Sequence, residues 1–189
     1  MEGTFLKTEY IYLVFSKTGT WLSRSIGLVT RSPFTHVALS FDDKFDNLYS
    51  FGRVNPNNPF SGGFVIESLY DGVYKRSSEA YCAIYKIPIT SKQLIKLKEE
   101  LNKFIYSDIA YKYNFLGLFS VLFHKPYERK SHYFCSQFIT KLLSRSNIWH
   151  SSKPPGLTRP MDLLLIENKD LIFTGYVAEI SIVEKTFTA

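Results

Sequence analysis

The chain has 189 residues, enough to bury a sizeable core, with 45% hydrophobic and 21% charged side chains in ordinary globular proportion and aromatics at a high 16%. Its net charge of +6 is spread thinly, the densest run "KPYERK" being broken by Pro and Glu, so a phosphate-tracking stripe is missing and nucleic-acid binding is not expected. Two cysteines cannot build a disulfide framework, and without an apolar stretch of about 18 residues or a leader-like h-region, neither a signal peptide nor a membrane span is expected.

In chain order, "YIYLVFSK" (10–17) is rich in β-branched and aromatic residues and predicts a strand. "TWLSRSIGLVTRS" (20–32) spaces Trp21, Leu22, Ile26 and Val29 as a short helix, with Thr20 placed to cap it. "THVALSF" and "NLYSFGR", separated by "DDKFD", predict a hairpin. "VNPNNPFSGG" is a loop by its Pro, Asn and Gly density, leading into the strands "FVIESLY" and "AYCAIYKIPI". Cys82, inside the last of these, reads as a buried, inert thiol.

Beyond Thr90 the period changes. "SKQLIKLKEELNKFIYS" carries apolar residues at helical spacing, and "YNFLGLFSVLFH" (113–124) predicts a shorter, more buried helix. In "SHYFCSQFITKLLSRS" the residues Phe134, Phe138, Ile139, Leu142 and Leu143 share one helical face, with Cys135 at the helix start. "SKPPG" breaks the chain, "TRPMDLLLI" predicts a capped short helix or a docking loop, and "LIFTGYVAEISIV" predicts one or two strands. Strands grouped apart from helices imply an α+β fold, a single domain over 1–189 with a mostly antiparallel sheet.

The serine-hydrolase elbow, the nucleotide phosphate loop and paired zinc motifs are absent. For a metal the foothold is His132 and Cys135 at i, i+3, with His124 and His150 nearby; their spacing does not guarantee convergence, and no metal is expected. The alternative pairs Cys135 with His36. A helix N-terminus and an adjacent imidazolium both favour the thiolate that does nucleophilic work, and alternation in "THVALSF" puts His36 on the face of Ala38 and Ser40. On these residues alone, a packed thiol and a satisfied strand histidine explain the pattern as well as catalysis does.

"FTHVALSF", followed by "YSFGR", "GGFVIES" and, far downstream, "YFCSQFITKLL", resembles the permuted papain-like NlpC-type cysteine hydrolases, the YiiX-like group. The order there is His, a polar residue, then Cys on a helix, and the lecithin:retinol acyltransferase-like families share it. The resemblance spans roughly residues 8–165. It implies a permuted papain-like (NlpC-type) sheet packed against the helix that carries Cys135, with Cys135 as nucleophile and His36 as its base. Glu67 matches the acidic residue that would orient the histidine, with Ser50 and Arg53 as rivals for that neighbourhood and Arg53 better suited to a substrate carboxylate. Tyr113 matches a tyrosine that helps hold the oxyanion beside the Cys135 N–H; where the family often has Tyr-Asp, this chain has Tyr113-Asn114.

The resulting expectation is a cytoplasmic cysteine hydrolase of amidase or peptidase type, acting through a thioester, with no cofactor, on a small peptide or acyl-amide substrate of cell-wall-derived kind. A thioesterase or lipid acyltransferase using the same pair, and a non-catalytic binding module of the same fold, are the alternatives; a membrane partner is not expected, and the oligomeric state is left open.

Overall fold

The computed structural model describes residues 8–18, 32–55, 61–121 and 125–180, so the helix expected over 20–32 lies outside the described residues apart from its last position. The first strand, β1 (Thr8–Lys17), packs six consecutive buried residues, as a central strand covered on both faces must. It pairs antiparallel with β2 (His36–Ser40) on one side and β5 (Tyr81–Thr90) on the other. The hairpin forms as its sequence predicts, β2 turning into β3 (Leu48–Arg53), which pairs with β4 (Gly62–Glu67). Two two-residue strands, β6 (Lys112–Tyr113) and β7 (His132–Tyr133), extend the sheet beyond β4, and β8 (Asp170–Tyr176) closes the other edge. The order is β7-β6-β4-β3-β2-β1-β5-β8, antiparallel throughout except for the parallel β6–β7 pair. This is a mixed α+β fold with an open, mostly antiparallel sheet.

Four α-helices are described. The five-residue α1 (Gly72–Arg76) follows β4 and escapes any periodicity reading. The second, α2 (Ser91–Ile105), starts on a capping box in which Thr90 accepts from the Gln93 N–H and Gln93 reaches back to the Thr90 backbone. Helix α3 (Phe115–Ser120) starts two residues into the segment expected over 113–124, whose last three residues lie outside the described residues, and α4 (Cys135–Arg145) begins on the cysteine itself. Asn147 at φ 54° then reverses the chain, and the Ile148 N–H bonds to the Leu143 carbonyl, which ends α4. "SKPPG" and "TRPMDLLLI" fold as 3-10 turns over Pro155–Leu157 and Pro160–Leu165, the second capped by Asp162 accepting from the Arg159 N–H at 2.8 Å. Among the described residues the tail supplies one strand, β8, before residues 177–180 turn helical.

The sheet separates two unequal cores. The larger joins Ile11, Leu13, Phe15, Val37, Leu39 and Phe51 to the inner faces of α2 and α4. The smaller gathers Val14, Ala38, Leu48, Cys82 and Ile84 under Phe45 and Tyr74. Glu100 on α2, buried and held by Lys103, accepts from Arg145 of α4 at 3.3 Å and ties the two helices together. Ser136 of α4 donates to the Thr158 carbonyl at 2.7 Å, fixing the connection between the 3-10 turns against the helix start.

Candidate active site

His36 is the first residue of β2, where pairing holds it between Ser16 of β1 and the end of β3. The alternation expected from sequence holds: Ala38 enters the smaller core, while Val37 and Leu39 enter the larger core together with Cys135. Nucleophile and base candidates therefore come from the two faces of the sheet and meet at the strand's first residue. His36 Nε2 donates to Glu67 Oε2 at 2.9 Å, and both side chains are mostly shielded from water. The Cys135 sulfur lies near enough to the same imidazole to raise its pKa. Since Glu67 occupies Nε2, Nδ1 is the ring nitrogen left for the sulfur.

Burial works against a charged imidazole here. The Glu67 carboxylate first, and then the side-chain hydrogen bonding of the imidazolium toward Cys135 and Glu67, outweigh it and raise the His36 pKa to about 10. A pKa of about 10 keeps His36 an imidazolium at neutral pH, with the Cys135 sulfur near it. Cys135 also occupies the first turn of an eleven-residue helix with no side-chain cap, so the partial positive charge there is not spent on a neighbouring side chain. Cys82 has none of this: it is fully buried in the smaller core, and burial pushes its thiol up to about 12.

The pair is built around missing side chains. A Cβ on Gly52 would sit 3.1 Å from Glu67 Oε1 and 3.6 Å from His36 Cε1, in the space the ion pair occupies. A Cβ on Gly62 would fall 2.5 Å from Tyr113 Cβ, so Tyr113 of β6 closes onto β4 only because residue 62 is glycine. Tyr113 is within electrostatic range of both Cys135 and Glu67. Burial first, then those two groups, hold its phenol well above the usual tyrosine value, so it stays a protonated donor.

Asn114 explains the departure from Tyr-Asp. Its Oδ1 accepts from the Gly117 N–H at 2.9 Å, capping α3, while its Nδ2 donates to the Tyr127 carbonyl at 2.9 Å. A carboxylate would supply only the first bond.

The structure thus brings Cys135, His36, Glu67 and Tyr113 together. Ser50 is fully buried and donates to the Val37 carbonyl at 2.7 Å, an internal link between β2 and β3. Arg53 ends β3 opposite Gly62, the residue onto which the Tyr113 side chain closes, and has no acidic partner among the described residues. The remaining histidines stand apart: His132 Nδ1 bonds the Lys130 carbonyl, His150 Nδ1 bonds Ser144, and His124 lies outside the described residues. The glycines at 52 and 62 and the Asn114 cap were not foreseen, although the pattern Asn-x-x-Gly at a helix start is a readable signal for the last. Tyr74, whose hydroxyl is 2.9 Å from that of Ser16 beneath this group, was hidden because α1 was. No protein-family model matches the chain, and no curated protein matches it.

Proposed function

We propose that this chain is a cysteine hydrolase with the permuted papain-like (NlpC-type) arrangement, cleaving an amide through a thioester at Cys135. The single observation that carries the reading is the helix-start thiol placed near an imidazole whose Nε2 is held by Glu67 at 2.9 Å. A buried thiol needs no such partner, and a structural histidine needs no thiol.

In this reading the Cys135 thiolate attacks the substrate carbonyl carbon; the C–S bond forms and the carbonyl electron pair moves to oxygen. The Cys135 N–H and the Tyr113 hydroxyl stabilise that oxyanion, the donors becoming worth most as charge develops in a water-poor site. The oxyanion collapses, the C–N bond breaks, and the His36 imidazolium gives its proton to the leaving nitrogen. Neutral His36 then takes a proton from water, the hydroxide attacks the thioester, the C–S bond breaks and the thiolate returns. Glu67 keeps the ring orientation and favours the imidazolium throughout. Arg53, at the end of β3 and without an acidic partner among the described residues, suits a substrate carboxylate, which places small acidic peptides or acyl amides first among substrates.

The test is labelling by a thiol-reactive alkylating probe at pH 6–7 with site assignment by mass spectrometry. Cys135 is expected to label at least tenfold faster than Cys82, and His36→Ala to remove most of the difference. Equal labelling of the two thiols would sink the proposal.

A further inference from the structure

The sheet edge next to this site carries a surface that neither the core nor the chemistry uses. Lys112 of β6 pairs with Gly63 and with His132, and His132 of the edge strand β7 bridges Arg129, so residues 112, 129 and 130 lie at one end of the sheet. Lys112, Lys125, Arg129 and Lys130 are all exposed, and none has an acidic partner among the described residues. The one acidic residue in that run, Glu128, is already neutralised by Lys141 at 3.0 Å and accepts from the Gly156 N–H. Arg53 borders the strip on its inner side.

Large apolar side chains are exposed in the same place. Val54 is 60% exposed, Leu116 57% and Tyr127 45%. Val54 Cγ2 lies 3.4 Å from the position of a Cβ on Gly63, the residue that pairs with Lys112. Tyr127 is anchored by its carbonyl to Asn114, and Leu116 follows two residues later in α3, so the three exposed apolar groups belong to segments that adjoin the basic residues. Single exposed apolar residues are ordinary on a protein surface. Apolar tips interleaved with unpaired Lys and Arg have a more specific use. They match an anionic bilayer, whose headgroups attract the cations while its acyl boundary takes the apolar tips. A bare polyanion rewards the charges alone.

We infer that the β6–β7 edge, with the 125–130 segment and the start of α3, is a peripheral docking surface for an anionic lipid bilayer. No described helix is long and apolar enough to cross a membrane, and this mode of attachment requires none. Because Tyr113 adjoins Lys112, a docked chain presents the Cys135 end to the bilayer. The inference stands on exposure and charge and is independent of turnover at Cys135.

The experiment is flotation of the full chain with vesicles of neutral phosphatidylcholine, with and without roughly 30% phosphatidylserine, at about 0.15 M salt. Binding is expected to the anionic vesicles only; no binding, or equal binding to both compositions, overturns the inference without any variant. K125E/R129E/K130E is expected to lower anionic-vesicle partitioning at least tenfold, each lost cation near such a surface weakening it about fivefold. L116S/Y127S is expected to lower it severalfold, and full retention there would identify a polyanion surface and overturn the bilayer assignment. Unchanged thermal midpoints and unchanged Cys135 alkylation confirm that the variants are folded, and the alkylation result reports separately on the hydrolase reading.

Discussion

The His36–Glu67 ion pair makes a definite statement about pH. An imidazole raised from 6.5 to about 10 in the folded chain stabilises it fully below pH 6.5. That contribution shrinks as pH rises between the two values and is gone above about pH 10. The effect, of the order of a few kcal/mol, is isolated by comparing wild type with Glu67→Gln, which keeps the hydrogen bond and loses the charge. The prediction is that the stability gap between the two, read by denaturant unfolding, is largest near pH 6 and closes toward pH 10. A gap that widens with pH would contradict the assignment of the proton to His36. Cys82 titrates in both chains and cancels in the comparison.

One amide on Asn114 holds several short elements in register. It caps α3, it fixes the 125–130 segment through Tyr127, and it follows directly on Tyr113 in β6. Asn114→Asp keeps an acceptor for Gly117 but turns a carboxylate toward the Tyr127 carbonyl. It is expected to cost about 1–3 kcal/mol in unfolding free energy, with Asn114→Ala, which loses both bonds, no milder. If Asp proves neutral, the Nδ2 donation carries no weight. This region also marks where the sequence stops being legible. The long helix α2 and the strands β1 to β5 show themselves because periodicity has ten or so residues in which to accumulate, or a hairpin turn to bound it. Two-residue strands such as β6 and β7 have no alternation to read; they exist because partners distant in sequence, Gly63 for one, offer them an edge. Helix α1 fails for the same reason of length, and Tyr74 with it. Motif and order in the sequence point to Cys135 and His36 as neighbours, whereas no pattern in "YSFGR" gives the depth of Ser50 or its bond to the Val37 carbonyl.

Across the molecule, the two cores have different tasks. The larger one mounts the thiol: Phe138 of α4, fully buried, packs its ring 5.2 Å from Phe51, 5.8 Å from Phe64 and 4.9 Å from Phe104, between centroids. The smaller one lies under the face from which His36 and Glu67 project, and Ile84, 1% exposed, is part of it. Both cores stabilise the fold, but only the first seats the helix that places Cys135 against the imidazole. Phe138→Ala is expected to cost about 3–5 kcal/mol and to lower Tm by roughly 10 °C. Ile84→Ala is expected to cost a similar 2–5 kcal/mol. Well below either midpoint the two variants should part company. Phe138→Ala loosens the seat of α4 and narrows the labelling advantage of Cys135 over Cys82. Ile84→Ala leaves α4 seated but opens a cavity in the core that encloses Cys82, so its advantage narrows, if at all, through faster Cys82 labelling at an unchanged Cys135 rate. Absolute rates at each thiol, measured by mass spectrometry at pH 7, separate the two. An undiminished Cys135 rate in Phe138→Ala would mean that the thiol is placed by the 3-10 connection through Ser136 and Thr158 rather than by the aromatic core.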